Sequence, residues 1–124
     1  MFNNLNVVVG IAGGIAAYKS CGIVSFLKSQ GANVDVIMTK NACEFITPLT
    51  LETLSGNKVI VDMFDRPDHM DVKHVSLAKK ADLFLVVPAT ANIIGKVANG
   101  IADDMLSTTI MATKAPVVFA PAMN

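Results

Sequence analysis

The chain is poor in several features that would settle a function early. It has ten basic and ten acidic residues, no net charge at pH 7, and a single arginine, Arg66. Sequence-independent nucleic-acid binding needs clustered cations that neutralise phosphates and release counterions, and no basic stripe is present to do so. Cysteine is scarce too. Cys21 and Cys43 form no CxxC pair, so they read as buried thiols rather than a disulfide or a metal centre. Nor is there a membrane-spanning run. The longest stretch without a charge, Met1 to Tyr18, carries Asn3, Asn4, Asn6 and three glycines, a poor match to the ~20 apolar residues a spanning helix requires. It lacks the positive leader of a signal peptide. The expectation is a cytoplasmic, soluble protein with no nucleic-acid or membrane partner.

What is present is apolar. Of 124 residues, 52% are hydrophobic, which excludes disorder and suits one domain, 1–124. Four apolar runs, Asn6–Ile11, Asn33–Met38, Leu83–Val87 and Pro116–Ala120, alternate with segments of helical period. That alternation predicts an α/β fold, a three-layer doubly wound parallel sheet of flavodoxin-like or Rossmann-like type. Three of the runs are continuous, as strands covered on both faces should be. Between the first two, Ala17, Cys21, Val24 and Leu27 mark one face of a helix predicted over 14–30, with Gly31 as its stop. Pro48 starts a short helix ended by Gly56, and 58–61 is predicted as a brief strand. The charged segment 62–71 is expected to be an exposed loop. Helices are predicted over 75–80, 91–98 and 102–113.

Four constellations could carry chemistry. Gly10, Gly13 and Gly14 stand at the first strand-to-helix junction, where backbone N–H groups and the positive helix end suit a phosphate. A tight turn that binds nothing would use the same residues. The spacing is not GxGxxG, and the second strand ends in Thr39 rather than an acid, which disfavours a nicotinamide dinucleotide and suits a mononucleotide such as FMN. Pro88 to Asn92 follow the third strand, where ligands of parallel sheets sit; Thr90 could equally be an ordinary helix cap. Pro121 to Asn124 follow the fourth strand, and Asn124 suits either a substrate carboxylate or a turn. His74 is a candidate acid or base because imidazole exchanges protons near neutral pH, although lone histidines are more often structural. His69 reads as a surface residue. Asp103 and Asp104 read as first-turn acids of a helix, and Lys79 and Lys80 as a solvated face.

Taken in order, GIAGGIAAYK (10–19), MTKNACEFITPL (38–49), HVSLAKKADLFLVVPATAN (74–92), GIADDMLSTT (100–109) and PAMN (121–124) resemble the flavin-dependent cysteine decarboxylase family, in its phosphopantothenoylcysteine-decarboxylating branch. The resemblance covers essentially the whole chain. It implies a domain that trimerises, often into a dodecamer, with FMN at subunit interfaces. Gly13, Gly14 and Ile15 would meet the FMN phosphate region, Thr39 and Phe45 would lie against the flavin, and Thr90, Ala91, Asn92 and Ala122 would line its site. His74 matches the family's active-site histidine, and Asn124 its carboxylate-binding asparagine. The implied reaction converts 4′-phosphopantothenoylcysteine to 4′-phosphopantetheine in coenzyme A biosynthesis. Direct loss of CO2 would leave a carbanion with no electron sink; flavin oxidation of the thiol to a thioaldehyde places the carboxylate β to a C=S bond.

The sequence departs from the family's pattern in reading PATANI where PASANT is common (88–93). The rest of the PxMNxxMW motif and the later cysteine-bearing flap are absent, and neither Cys21 nor Cys43 matches that cysteine. The expectation is a fragment ending at Asn124, derived from a longer protein in which a phosphopantothenate-cysteine ligase can follow. Two alternatives are a non-catalytic FMN-binding regulatory subunit and an FMN prenyltransferase of similar fold. The prenyltransferase is disfavoured by His74 and PAMN.

Overall fold

The computed structural model describes residues 1–62 and 73–124. His69, Arg66 and nearly all of the charged segment 62–71 lie outside the described residues. Four strands, β1 (Asn6–Ile11), β2 (Asn33–Met38), β3 (Leu83–Ala89) and β4 (Val117–Pro121), form one sheet in the order β2-β1-β3-β4 with every pairing parallel. Around it stand α1 (Ser20–Ser29), α2 (Pro48–Ser55), α3 (Lys73–Lys80), α4 (Ala91–Ala98) and α5 (Met105–Ala112). None of these helices is long and apolar enough to cross a membrane.

The alternation of Cβ direction along β1 divides the core in two. Val7, Val9 and Ile11 pack with Val24 and Leu27 of α1 and Leu51 of α2, whereas Val8 packs with Leu77, Ile93, Leu106 and Ile110 from α3, α4 and α5. A central strand clothed on both faces must be apolar at every position, which is why NVVVGI reads as a continuous run. Gly10 belongs to the second face, and the side chain of Leu106 fills the space where its Cβ would stand.

Several boundaries differ from expectation for local reasons. The segment 14–30 begins as a 3-10 turn over Ile15–Lys19 and becomes α-helical only at Ser20. There the buried Ser20 hydroxyl donates to the Val87 carbonyl at 2.6 Å, tying the helix start to β3. Residues 58–61 contribute only an isolated parallel bridge between Ile37 and Ile60. Strand β3 continues through Pro88 to Ala89, with a shift of register against β4 between Val86 and Ala89. A bulge of this kind accommodates a residue without an N–H. Strand β4 lies at the edge and is only partly covered, with Val118 49% exposed, so its apolar run is not buried on both faces. Gly31 and Gly56 stop α1 and α2 in the left-handed region, at φ 91° and 77°.

Helix α5 starts at Met105, three residues later than expected, because Asp104 is its N-cap rather than a first-turn acid. The Ser107 amide donates to Asp104 Oδ1 at 2.8 Å, and the buried Ser107 hydroxyl accepts from the Asp103 and Asp104 amides at 3.1 Å each. Asp104→Ala removes this cap and is expected to cost about 1–2 kcal/mol, measurable as a lower midpoint in urea unfolding. An unchanged midpoint would show that the rest of the network holds α5 by itself.

Candidate active site

All four strands run in one direction, so the loops that follow them emerge on one rim: 12–14, 39–41, 90–92 and 122–124. The amide of Ala12 donates to the Pro88 carbonyl at 3.2 Å, that of Thr39 to the Ile11 carbonyl at 3.1 Å and that of Ala122 to the Ala89 carbonyl at 3.1 Å. In the order β2-β1-β3-β4 the chain leaves β1 toward one edge and β3 toward the other, so the two halves of the sheet meet between β1 and β3, where parallel sheets open a crevice.

A cleft of about 400 Å³ opens there. Its lining includes Gly13, Thr39, Thr90 and Asn92, together with Lys40, Asn41 and Lys96. Gly14 extends this group at the mouth: a Cβ there would stand 3.7 Å from Thr90 Cγ2 and 3.8 Å from the Ala122 carbonyl oxygen. The loops after β1, β3 and β4 therefore converge around Gly14, Thr90 and Ala122.

The glycines have different physical reasons. A Cβ on Gly13 would fall 2.8 Å from the Asn41 carbonyl carbon and 3.0 Å from the Ala42 nitrogen, so the protein's own backbone demands glycine. Gly14 is extended, at φ −147° and ψ 165°, with no atom closer than ordinary contact. Neither backbone strain nor packing requires it. What its missing side chain does is leave the rim open beside the first N–H groups of the 3-10 turn. Those of Ile15 and Ala16 precede any intrahelical acceptor, and no side chain caps the turn.

Thr90 is the helix cap foreseen for it and also lines the cleft. Its hydroxyl accepts from the Ile93 amide at 3.4 Å as the cap of α4, and the same residue lines the cleft. Thr39 likewise accepts from the Ala42 amide at 3.0 Å while facing the cleft. Ala91 is exposed beside them. Ile15 and Phe45 are 67% and 49% exposed, apolar side chains standing in solvent rather than lining the cleft. His74 is half-buried and does not line the cleft, nor does the exposed Asn124. Their elements still direct both toward the same rim. Helix α3 joins β3 through only two residues and runs back against it, turning its first residues to the carboxyl end; Asn124 follows β4.

Burial pushes the thiols of Cys21 and Cys43 up from their ordinary range, with the Glu44 charge adding to the effect at Cys43. Both are free. A raised thiol is a poor nucleophile at neutral pH, consistent with packing roles.

The charged wall of the cleft was not foreseen. Lys96 lies one turn after Asn92 on α4, and its Nζ stands 2.9 Å from Asp103 Oδ1 and 3.8 Å from Asp104 Oδ2. The i, i+4 spacing of Asn92 and Lys96 was the available signal, since it puts both on one helix face.

A family model described as Flavoprotein matches residues 1–124. Over all 124 residues the chain is 54% identical to the coenzyme A biosynthesis bifunctional protein CoaBC of Bacillus subtilis and 56% identical to that of Borreliella burgdorferi. It spans 30% and 32% of the length of those proteins. Among solved structures, the FMN-dependent cysteine decarboxylase SpaF superposes with a TM-score of 0.92 at 31% identity, over 100% of this chain and 71% of SpaF. A mutant PPC decarboxylase complexed with pantothenoylaminoethenethiol gives 0.80 at 28% identity, over 98% and 68% of the two chains. With its parallel sheet, its open glycine rim and a match from first residue to last, the chain belongs to the Flavoprotein family.

Proposed function

We propose that residues 1–124 are the FMN-binding decarboxylase domain of a coenzyme A biosynthesis protein, acting on 4′-phosphopantothenoylcysteine to release CO2 and give 4′-phosphopantetheine. The observation that carries this reading is identity of 54% and 56% over all 124 residues to two bifunctional CoaBC proteins. The rim suits the cofactor. Gly14 leaves space that neither φ nor packing requires, beside N–H groups that precede any intrahelical acceptor and that no side chain caps, an arrangement that favours a phosphate. Hydroxyls of Thr39 and Thr90 and the amide of Asn92 supply polar contacts in the adjoining cleft.

In this reading Gly13, Gly14 and Ile15 hold the phosphate end, Thr39 and Phe45 lie against the ring, and Thr90, Ala91, Asn92 and Ala122 complete the wall. When bound, FMN supplies the two-electron oxidation of the cysteine thiol that turns its carboxylate into a leaving group, and the return of those electrons. His74 takes the thiol proton. The Asn124 side-chain amide donates to the substrate carboxylate and fixes its orientation until CO2 departs.

The same reading makes the protein cytoplasmic and oligomeric, as a trimer or dodecamer, with a phosphopantothenate-cysteine ligase on the same polypeptide. Ile15, Tyr18, Phe45 and Leu49 are 49–68% exposed, apolar surface of the kind a subunit interface covers. Purified from its host, the natural protein should be yellow, with the absorbance and mass of unmodified FMN. A colourless protein that takes up no added FMN would overturn the cofactor assignment, and a prenylated flavin mass would favour the prenyltransferase.

A further inference from the structure

The lining of the cleft poses an electrostatic problem. Among the described residues its lining includes Lys40 and Lys96 together with two neighbouring carboxylates, Asp103 and Asp104. A rim expected to receive a phosphate thus has two carboxylates side by side on one wall, and repulsion of this kind would weaken any doubly charged ligand.

Lys96 stands where it reduces that repulsion. Its side chain is only 21% exposed, and Nζ sits 2.9 Å from Asp103 Oδ1 and 3.8 Å from Asp104 Oδ2. Hydrogen bonding to Asp103 holds the ammonium above its ordinary range, so it is charged throughout the neutral region. The contact spans two elements. Lys96 belongs to α4, whose first turn carries Asn92, while Asp104 caps α5, whose Leu106 packs over β1 at Gly10. The Ile101 amide also donates to the Lys96 carbonyl at 2.9 Å, so the loop between the helices is anchored at this residue.

We infer that Lys96 is a positioning residue for flavin binding: by pairing with Asp103 and Asp104 it offsets part of the negative charge on the carboxylate wall of the cleft and so favours a phosphorylated flavin there. This rests on the FMN reading. It concerns discrimination between a phosphorylated and an unphosphorylated flavin, which a purely structural role for Lys96 would not affect.

The test is a fluorescence titration of the flavin-stripped natural protein with FMN and, separately, with riboflavin, which lacks the phosphate. Lys96→Met should weaken FMN binding about tenfold, the scale of removing one unit charge near a doubly charged phosphate across a partly screened distance. Riboflavin binding should change less than about twofold, since the neutral ligand lacks that term. Lys96→Arg should behave as wild type, and adding Asp103→Asn to Lys96→Met should restore FMN affinity. Equal weakening toward both flavins, no weakening toward either, or an arginine variant as impaired as the methionine one would overturn the inference while leaving FMN binding by the wild type intact. A wild-type protein that binds neither flavin would overturn the cofactor reading and this inference with it.

Discussion

Replacing His74 with asparagine is expected to leave flavin binding unchanged while CO2 release falls by about 10²- to 10⁴-fold, the usual contribution of a positioned acid or base. Asparagine retains a planar polar group but cannot accept a proton at neutral pH. The helix should survive the exchange, because α3 is held by the buried Leu77 and Ala78 and by the Thr113 hydroxyl donating to the Ala78 carbonyl at 2.9 Å. Flavin affinity should survive as well, since His74 does not line the cleft. The two readouts are the flavin absorbance of the purified variant and its CO2 release from phosphopantothenoylcysteine. Near-normal turnover would remove His74 from the proton-transfer role.

The second large effect separates two adjacent glycines. Gly14→Ala adds a methyl group that the protein can hold without displacement, so the melting temperature should match wild type. The same methyl projects into the rim between Thr90 and Ala122, and FMN affinity should fall about 10- to 100-fold, as for the loss of one charge-assisted hydrogen bond. Gly13→Ala should do the reverse at the level of the fold. Its Cβ meets the backbone at Asn41 and Ala42, and relieving that overlap should cost about 1–3 kcal/mol of stability. Paired thermal unfolding and FMN titrations decide the matter. If Gly14→Ala lowers stability as much as Gly13→Ala, the rim at Gly14 is a packed turn rather than a ligand cradle.

Strand β1 was legible because burial on both faces forces a continuous apolar run, and the glycines at 31 and 56 marked helix ends for a conformational reason visible in the sequence. The 3-10 start at Ile15 was not legible, because it is set by tertiary contacts, including the Ser20 hydroxyl on the Val87 carbonyl, rather than by local period. Pro88 misplaced the end of β3, since the bulge that tolerates a proline depends on neighbouring strands. At the site, the convergence of Gly14, Thr90 and Ala122 followed from their places after parallel strands. The cluster of Lys96, Asp103 and Asp104 was missed because two neighbouring acids read as a helix-start preference. Only the folded chain brings a lysine from the preceding helix to them.

The most direct test is one assay of the natural protein with FMN bound: CO2 released and 4′-phosphopantetheine formed from 4′-phosphopantothenoylcysteine, with no other reductant or oxidant added. Equal amounts of the two products, over many turnovers per flavin, are the predicted result, because the electrons taken from the thiol are returned in the same cycle. A flavin-loaded protein that releases no CO2 from this substrate would contradict the decarboxylase assignment.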